Sequence, residues 1–75
     1  MVVAGNIRAE RARARVRQIE LAEALHLSQP ATSALESGQR EITLSEAVII
    51  CRVLGVPLAE LVRGADPEDL ATLGL

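Results

Sequence analysis

Phe, Tyr and Trp are all absent from this chain of 75 residues, Lys is absent too, and Cys51 is the single cysteine. Without aromatic rings the core has to be built from Leu, Ile, Val and Ala, which suits helix-on-helix packing. The same lack removes the platforms on which single-strand and RNA binders stack bases. One cysteine closes no internal disulfide, and no Cys/His cluster has metal-ligand spacing, so a reduced, cytoplasmic setting is expected, with no metal and no other cofactor. No apolar run approaches the roughly 18 residues needed to span a bilayer, and the opening MVVAGNIRAER turns charged too early for a secretory signal, so no membrane partner is expected. Strand-length period-2 alternation, repeats and low-complexity runs are missing. So are a nucleophile–base pair, a carboxylate pair and a phosphate loop, which leaves no catalytic residue to name and speaks against an enzyme.

What is present fits one small domain, a size that buries only about 60% of its unfolded surface. The hydrophobic share is 49% and the net charge −2, with a pI of 5.3, an acidic balance that taken alone argues against nucleic acid. Its distribution matters more: residues 1 to 40 hold six Arg against four Glu, residues 41 to 75 two Arg against six acids. The positive half carries the most organised stretch. All eight basic residues are Arg; Arg forks bind phosphate bidentately, and a GC-rich genome produces the same bias.

Along the chain, residues 1 to 5 read as a flexible lead-in, 6 to 63 as the folded domain, and 64 to 75 as a C-terminal segment with a short helix. Asn6 is read as the N-cap of a first helix that places Ile7, Arg11 and Ala14 on one face and ends near Val16. A second helix from Arg17 or Gln18 to Leu25 buries Leu21, Ala22 and Leu25. His26 and Leu27 form a corner, Ser28 caps a third helix over residues 29 to 37, and Gly38 suits the left-handed position after it. Thr43 with Glu46 makes a capping box for a fourth helix to Leu54, closed by Gly55. Pro57 opens a short fifth helix ended by Gly64. Asp66, Pro67 and Asp69 repeat the start signal for a last one.

Gln18, Leu21-Ala22, Leu25, Leu27-Ser28, Leu35-Glu36, Gly38, Leu44, Leu54-Gly55-Val56, and Leu58 with Leu61 together resemble the Cro/C1-type helix-turn-helix family of phage repressors and bacterial transcriptional regulators. The resemblance covers roughly Asn6 to Val62 and implies a compact, all-α, five-helix fold, here with a possible sixth helix. It makes the third helix a recognition helix whose first half enters the major groove. Gln29 then falls where the family contacts base edges, and its amide can grip adenine N6 and N7. Ser33, Pro30 and Ala34 share that groove face. Gln18 and the loop residues Gln39 and Arg40 match positions that contact the phosphate backbone, Gln18 also bracing the residue at Gln29, and Arg17 and Ser28 are read as further phosphate ligands beside them. Arg11 and Glu36 match an internal salt bridge that sets the pitch of the recognition helix.

Departures from the family are informative. Arg17 replaces the usual Ser or Thr cap, and Arg15 and His26 stand where relatives often have Gly, so His26 must accept a left-handed conformation. Thr32 replaces a core Ile or Val. Pro30 and Ala34 offer only apolar contact, such as to a thymine methyl, which points to modest base discrimination or readout of DNA shape.

The fourth helix has a core stripe of Leu44, Ala47, Ile50, Cys51 and Leu54, yet Val48, Ile49 and Val53 add apolar residues on other faces. Such a helix needs cover, either from the last helix through Leu70 and Leu73 or from a second subunit meeting Ile49 and Val53. The reading is a DNA-binding repressor or regulator, a homodimer on a double-stranded, palindromic operator. It would act by occluding a promoter, because this length leaves no room for a sensor domain and no small-molecule effector is evident, unless the chain is the first piece of a longer repressor. A nucleoid-associated or phage-encoded protein in a bacterial host fits that reading. The alternative is a protein-interaction module on the same scaffold, of antitoxin or anti-activator type, which the acidic net charge favours.

Overall fold

The computed structural model describes residues 2–75. Six helices follow one another: α1 Val3–Ala14, α2 Gln18–Leu25, α3 Gln29–Glu36, α4 Leu44–Leu54, α5 Leu58–Leu61 and α6 Pro67–Thr72. No strand occurs among the described residues.

Local signals account for most boundaries. Ser28 Oγ accepts the Ala31 N–H at 3.2 Å and starts α3. Thr43 Oγ1 accepts the Glu46 N–H at 3.1 Å while Glu46 Oε1 accepts the Thr43 N–H at 3.0 Å, a reciprocal cap that fixes the start of α4. Asp66 accepts the Glu68 N–H at 2.8 Å ahead of α6. Both sharp corners in the first half are made by non-glycine residues in the left-handed region, Arg15 at φ 58° and His26 at φ 56°. Behind each, the next N–H reaches back to the outgoing helix, Val16 to Arg11 O at 3.0 Å and Leu27 to Ala22 O at 3.0 Å. These bonds satisfy carbonyls that the helix end leaves free.

The start of α1 differs from the sequence reading. The helix begins at Val3, so residues 3 to 5, expected as lead-in, form its first turn, while Met1 lies outside the described residues. Val3 packs against the core, and that burial sustains a turn with no side-chain cap. Asn6 is therefore inside α1 and caps a different helix: its Nδ2 donates to Leu61 O and Arg63 O, each at 2.8 Å, at the end of α5. A short side chain with strong cap propensity says nothing about which helix it will cap.

The core is Ile7 of α1, Leu21 and Leu25 of α2, Leu35 of α3, Ile50 and Leu54 of α4 and Leu61 of α5. α1 lies against α3, α4 and α5, and α2 against α3 and α4. α6 contributes no buried residue.

The rotation of α4 also differs from expectation. Ile50 and Leu54 point inward, and Ile49 and Val53, expected to seek a tail or a partner, are half-buried against this same core. Leu44, expected in the core stripe, is 76% exposed, and Val48 is exposed beside it. The apolar surplus of α4 therefore lies along Leu44 and Val48. The last helix does not lie across Ile49 and Val53. Leu70 is half-buried, and the exposed Leu73 edges an open cavity of about 660 Å³ shared with Val3, Leu44 and Leu58.

A left-handed conformation costs a non-glycine residue about 1–2 kcal/mol, while glycine gives back part of that through its freer unfolded chain. His26→Gly is thus expected to stabilise by about 1 kcal/mol and raise Tm by roughly 4–8 °C in a chain of this size. Thermal unfolding followed by circular dichroism checks it; an unchanged or lower Tm would show that the imidazole makes up for the strain.

Candidate nucleic-acid interface

α3 has two chemically distinct faces. Thr32, Leu35 and Glu36 are buried, and Thr32 Oγ1 donates to Ser28 O at 3.0 Å, so a polar residue in the core is satisfied by the preceding turn. The opposite face holds Gln29, Pro30, Ser33 and Ser37, all exposed, with Ala34 half-buried at its margin. Helical spacing puts Gln29, Pro30 and Ser33 within one turn of each other at the start of the helix.

Glu36 anchors the inner face. Its Oε2 accepts from Arg11 Nε at 2.7 Å, and its Oε1 accepts from Arg11 Nη2 at 3.2 Å and from Gln18 Nε2 at 3.1 Å. Arg11 Nη1 also donates to Val16 O at 3.1 Å, tying the end of α1 to the same charge. Gln18 in turn accepts at Oε1 from Gln29 Nε2 at 3.3 Å. Four residues from three helices thus form one hydrogen-bonded chain running from the core to the outer face of α3. Of its links, that between Gln18 and Glu36 has no counterpart in the sequence reading, because residues eighteen positions apart meet only once α2 and α3 have docked.

The cations flanking α3 are already paired. Arg17 Nε donates to Glu20 Oε1 at 2.8 Å on the surface of α2. Arg40 forms a two-pronged pair with Glu46, Nη1 to Oε1 at 3.0 Å and Nη2 to Oε2 at 2.9 Å. The guanidinium of Arg40, with help from the Thr43 N–H, holds the Glu46 carboxyl below the usual carboxylate range, and Arg17 does the same to Glu20. Gln39 is exposed in the loop beside Arg40, and Ser28 is exposed at the corner.

A family model described as helix-turn-helix matches residues 7–61, which run from the Ile7 anchor through the whole α2–α3 corner to Leu61. The chain belongs to the helix-turn-helix family, of the Cro/C1 type. This is a family of DNA-binding domains. No curated protein and no solved structure matches the chain. In this helix-turn-helix domain the corner is His26 with Leu27, and the second helix of the motif is α3.

Among the described residues no group of three His, Cys, Asp or Glu is placed to hold a metal ion, and no helix is long and apolar enough to cross a membrane. Cys51 is half-buried, and burial pushes its thiol above the ordinary value. One buried acid went unforeseen: Glu10 is 2% exposed, and its Oε1 makes no hydrogen bond, lying 3.4 Å from Arg13 and 3.9 Å from Arg63.

Because the folded Glu46 titrates below its unfolded value, its contribution to stability is complete above the unfolded carboxylate range, near about pH 4.3, and is lost as pH falls through the lower folded value. Glu46→Gln is therefore expected to lower the urea midpoint at pH 7 and to draw level with the parent chain in strong acid. A gap independent of pH would show that the carboxylate charge is not what holds the Arg40 loop to α4.

Proposed function

We propose that this domain binds double-stranded DNA sequence-specifically as a small transcriptional regulator, with the outer face of α3 in the major groove. The observation that carries the reading is the split of α3, whose inner face is anchored through Glu36 and whose outer face leaves Gln29, Pro30 and Ser33 exposed at the start of the helix. Gln29 is the principal base contact, Ser33 a second, and Pro30 and Ala34 supply apolar contact to a thymine methyl. Gln18, Ser28 and Gln39 flank this face as phosphate contacts. Arg17 and Arg40 take part by exchanging a carboxylate for a phosphate oxygen, so each adds less to affinity than an unpaired cation would.

The regulator acts as a homodimer on two half-sites about 34–36 Å apart. With Ile49 and Val53 spent on the protein's own core, the surface for a second copy falls on Leu44 and Val48 of α4 with Leu73 beyond α6, where large apolar side chains are exposed. Repression follows from occupying a promoter. A rival reading, a protein-interaction module, draws support from that same apolar surface and from the paired arginines.

Selection of duplexes from a randomised pool, then titration of the best duplex at rising salt, separates the two. The DNA reading expects an enriched motif and a log affinity that falls linearly with log salt by about 0.9 per phosphate neutralised. Gln29→Ala is expected to cost roughly 1–3 kcal/mol on the selected duplex and little on random DNA. No enriched motif, or salt-indifferent binding to another protein in place of DNA, turns the reading to the interaction module.

A further inference from the structure

Arginine supplies every basic side chain of the chain, and Arg11, Arg13, Arg17, Arg40 and Arg63 each lie beside a carboxylate. Arg8, Arg15 and Arg52 differ. All three are exposed, and among the described residues none of their guanidinium groups forms an ion pair or a hydrogen bond. Contacts of α1 fix which way the first two face. Ala4 packs beside Gly38, just past the end of α3, its methyl 3.9 Å from the point that a Cβ on Gly38 would occupy. Arg11 reaches Glu36 in α3 at 2.7 Å and the Val16 carbonyl at 3.1 Å. Helical spacing sets Arg8 between Ala4 and Arg11, at i, i+4 and i+7, on the side of α1 that runs along α3. Arg15 stands at the end of that stripe, in the corner before Gln18. Glu10 and Arg13 occupy the other flank, toward Arg63 beyond α5. Arg15 also holds a left-handed backbone, φ 58°, which glycine adopts without strain. Strain of this kind is retained mostly at functional sites.

We infer, on the proposed DNA reading, that Arg8 and Arg15 are the principal phosphate ligands of the domain, so that α1 carries most of its salt-dependent affinity. An unpaired guanidinium gives up only water when a phosphate arrives, whereas Arg17 and Arg40 must first leave Glu20 and Glu46. The carboxylate freed in that exchange gathers cations again, which offsets part of the counterion release that drives binding. The contact surface thereby gains a third edge, the outer stripe of α1, beside the start of α2 and the loop between α3 and α4.

Arg8→Gln, Arg15→Gln, Arg17→Gln, Arg40→Gln and Arg52→Gln are titrated at a series of salt concentrations with the selected duplex and with random DNA of the same length. Arg8→Gln and Arg15→Gln are each expected to lower the slope of log affinity against log salt by about 0.9, and to bind about five- to tenfold more weakly at roughly 0.1 M salt. The loss is the same on both duplexes, because a phosphate contact carries no sequence information. Arg17→Gln and Arg40→Gln are expected to lower the slope by less than about half as much. Arg52, equally unpaired but in the last turn of α4, is the control and leaves the slope unchanged. Arg15→Gly is expected to raise Tm, because the strain is relieved, and still to lose the same slope as Arg15→Gln; a residue with a structural role alone would not separate stability from binding in this way. An unchanged slope in Arg8→Gln or Arg15→Gln, a larger loss at Arg17 or Arg40, or an equal loss at Arg52, which would assign the effect to net charge, overturns the inference alone. A parent protein that binds neither duplex overturns the DNA reading and this inference with it.

Discussion

A single buried carboxylate, Glu36, ties together the three helices on which the candidate DNA face depends. Burying a charge is costly unless it is paired and hydrogen-bonded, and here Arg11 from α1 and Gln18 from α2 both converge on it. The net stabilisation is small, because desolvation cancels much of the attraction. Its effect is geometric: α3 cannot rotate or slide without breaking a short charged contact, and Arg11 holds the end of α1 through the Val16 carbonyl at the same time. Thr32 and Leu35 complete the inner face with packing and one hydrogen bond to Ser28. On the outer face the side-chain bonds are those from Gln29 to Gln18 and from Ser37 to the Ala34 carbonyl.

Charge is arranged frugally around that face. The chain carries a net charge of −2, and the arginines nearest α3 are each committed to a carboxylate, Arg11 to Glu36, Arg17 to Glu20 and Arg40 to Glu46. Long-range attraction for a polyanion is correspondingly weak. On the proposed reading, contact with phosphate proceeds by exchange of partners at Arg17 and Arg40, both at the protein surface where such pairs are worth little. On the same reading, Pro30 and Ala34 bring no hydrogen-bonding side chain to the groove. On the proposed reading, discrimination concentrates on Gln29, whose amide is bonded to Gln18.

Much of the scaffold was legible because it rests on local chemistry. Ser28, the Thr43–Glu46 pair and Asp66 mark the helices they start, and the corner at His26 lies where helical periodicity breaks, whereas the one at Arg15 was marked only by the resemblance, which often has Gly there. Leu21, Ala22 and Leu25 were legible as core from their spacing. What escaped depended on tertiary docking. Asn6 carries a cap's chemistry, yet it caps α5, more than fifty positions away. The rotation of α4 turns on which of two adjacent apolar stripes meets α1 and α5, and a helix apolar on most sides gives no internal means of choosing; Ile49 and Val53 went inward and Leu44 outward. Glu46 was recognisable as a capping residue, but its second role toward Arg40 depends on the course of the loop between α3 and α4. The buried Glu10 carries no sequence mark that separates it from its solvated neighbours.

The proposed function requires that the outer face of α3 meets DNA. Titrating the ¹⁵N-labelled protein with the duplex it selects, and following every backbone amide and glutamine side-chain signal, tests that claim most directly. The largest shifts are expected from Ser28 to Ser37 and at the side-chain amides of Gln18 and Gln29, with smaller ones at Arg17, Gln39 and Arg40 and little change in α5. Shifts centred on Leu44, Val48 and Leu58, with the start of α3 and both glutamine side chains unmoved, would contradict it.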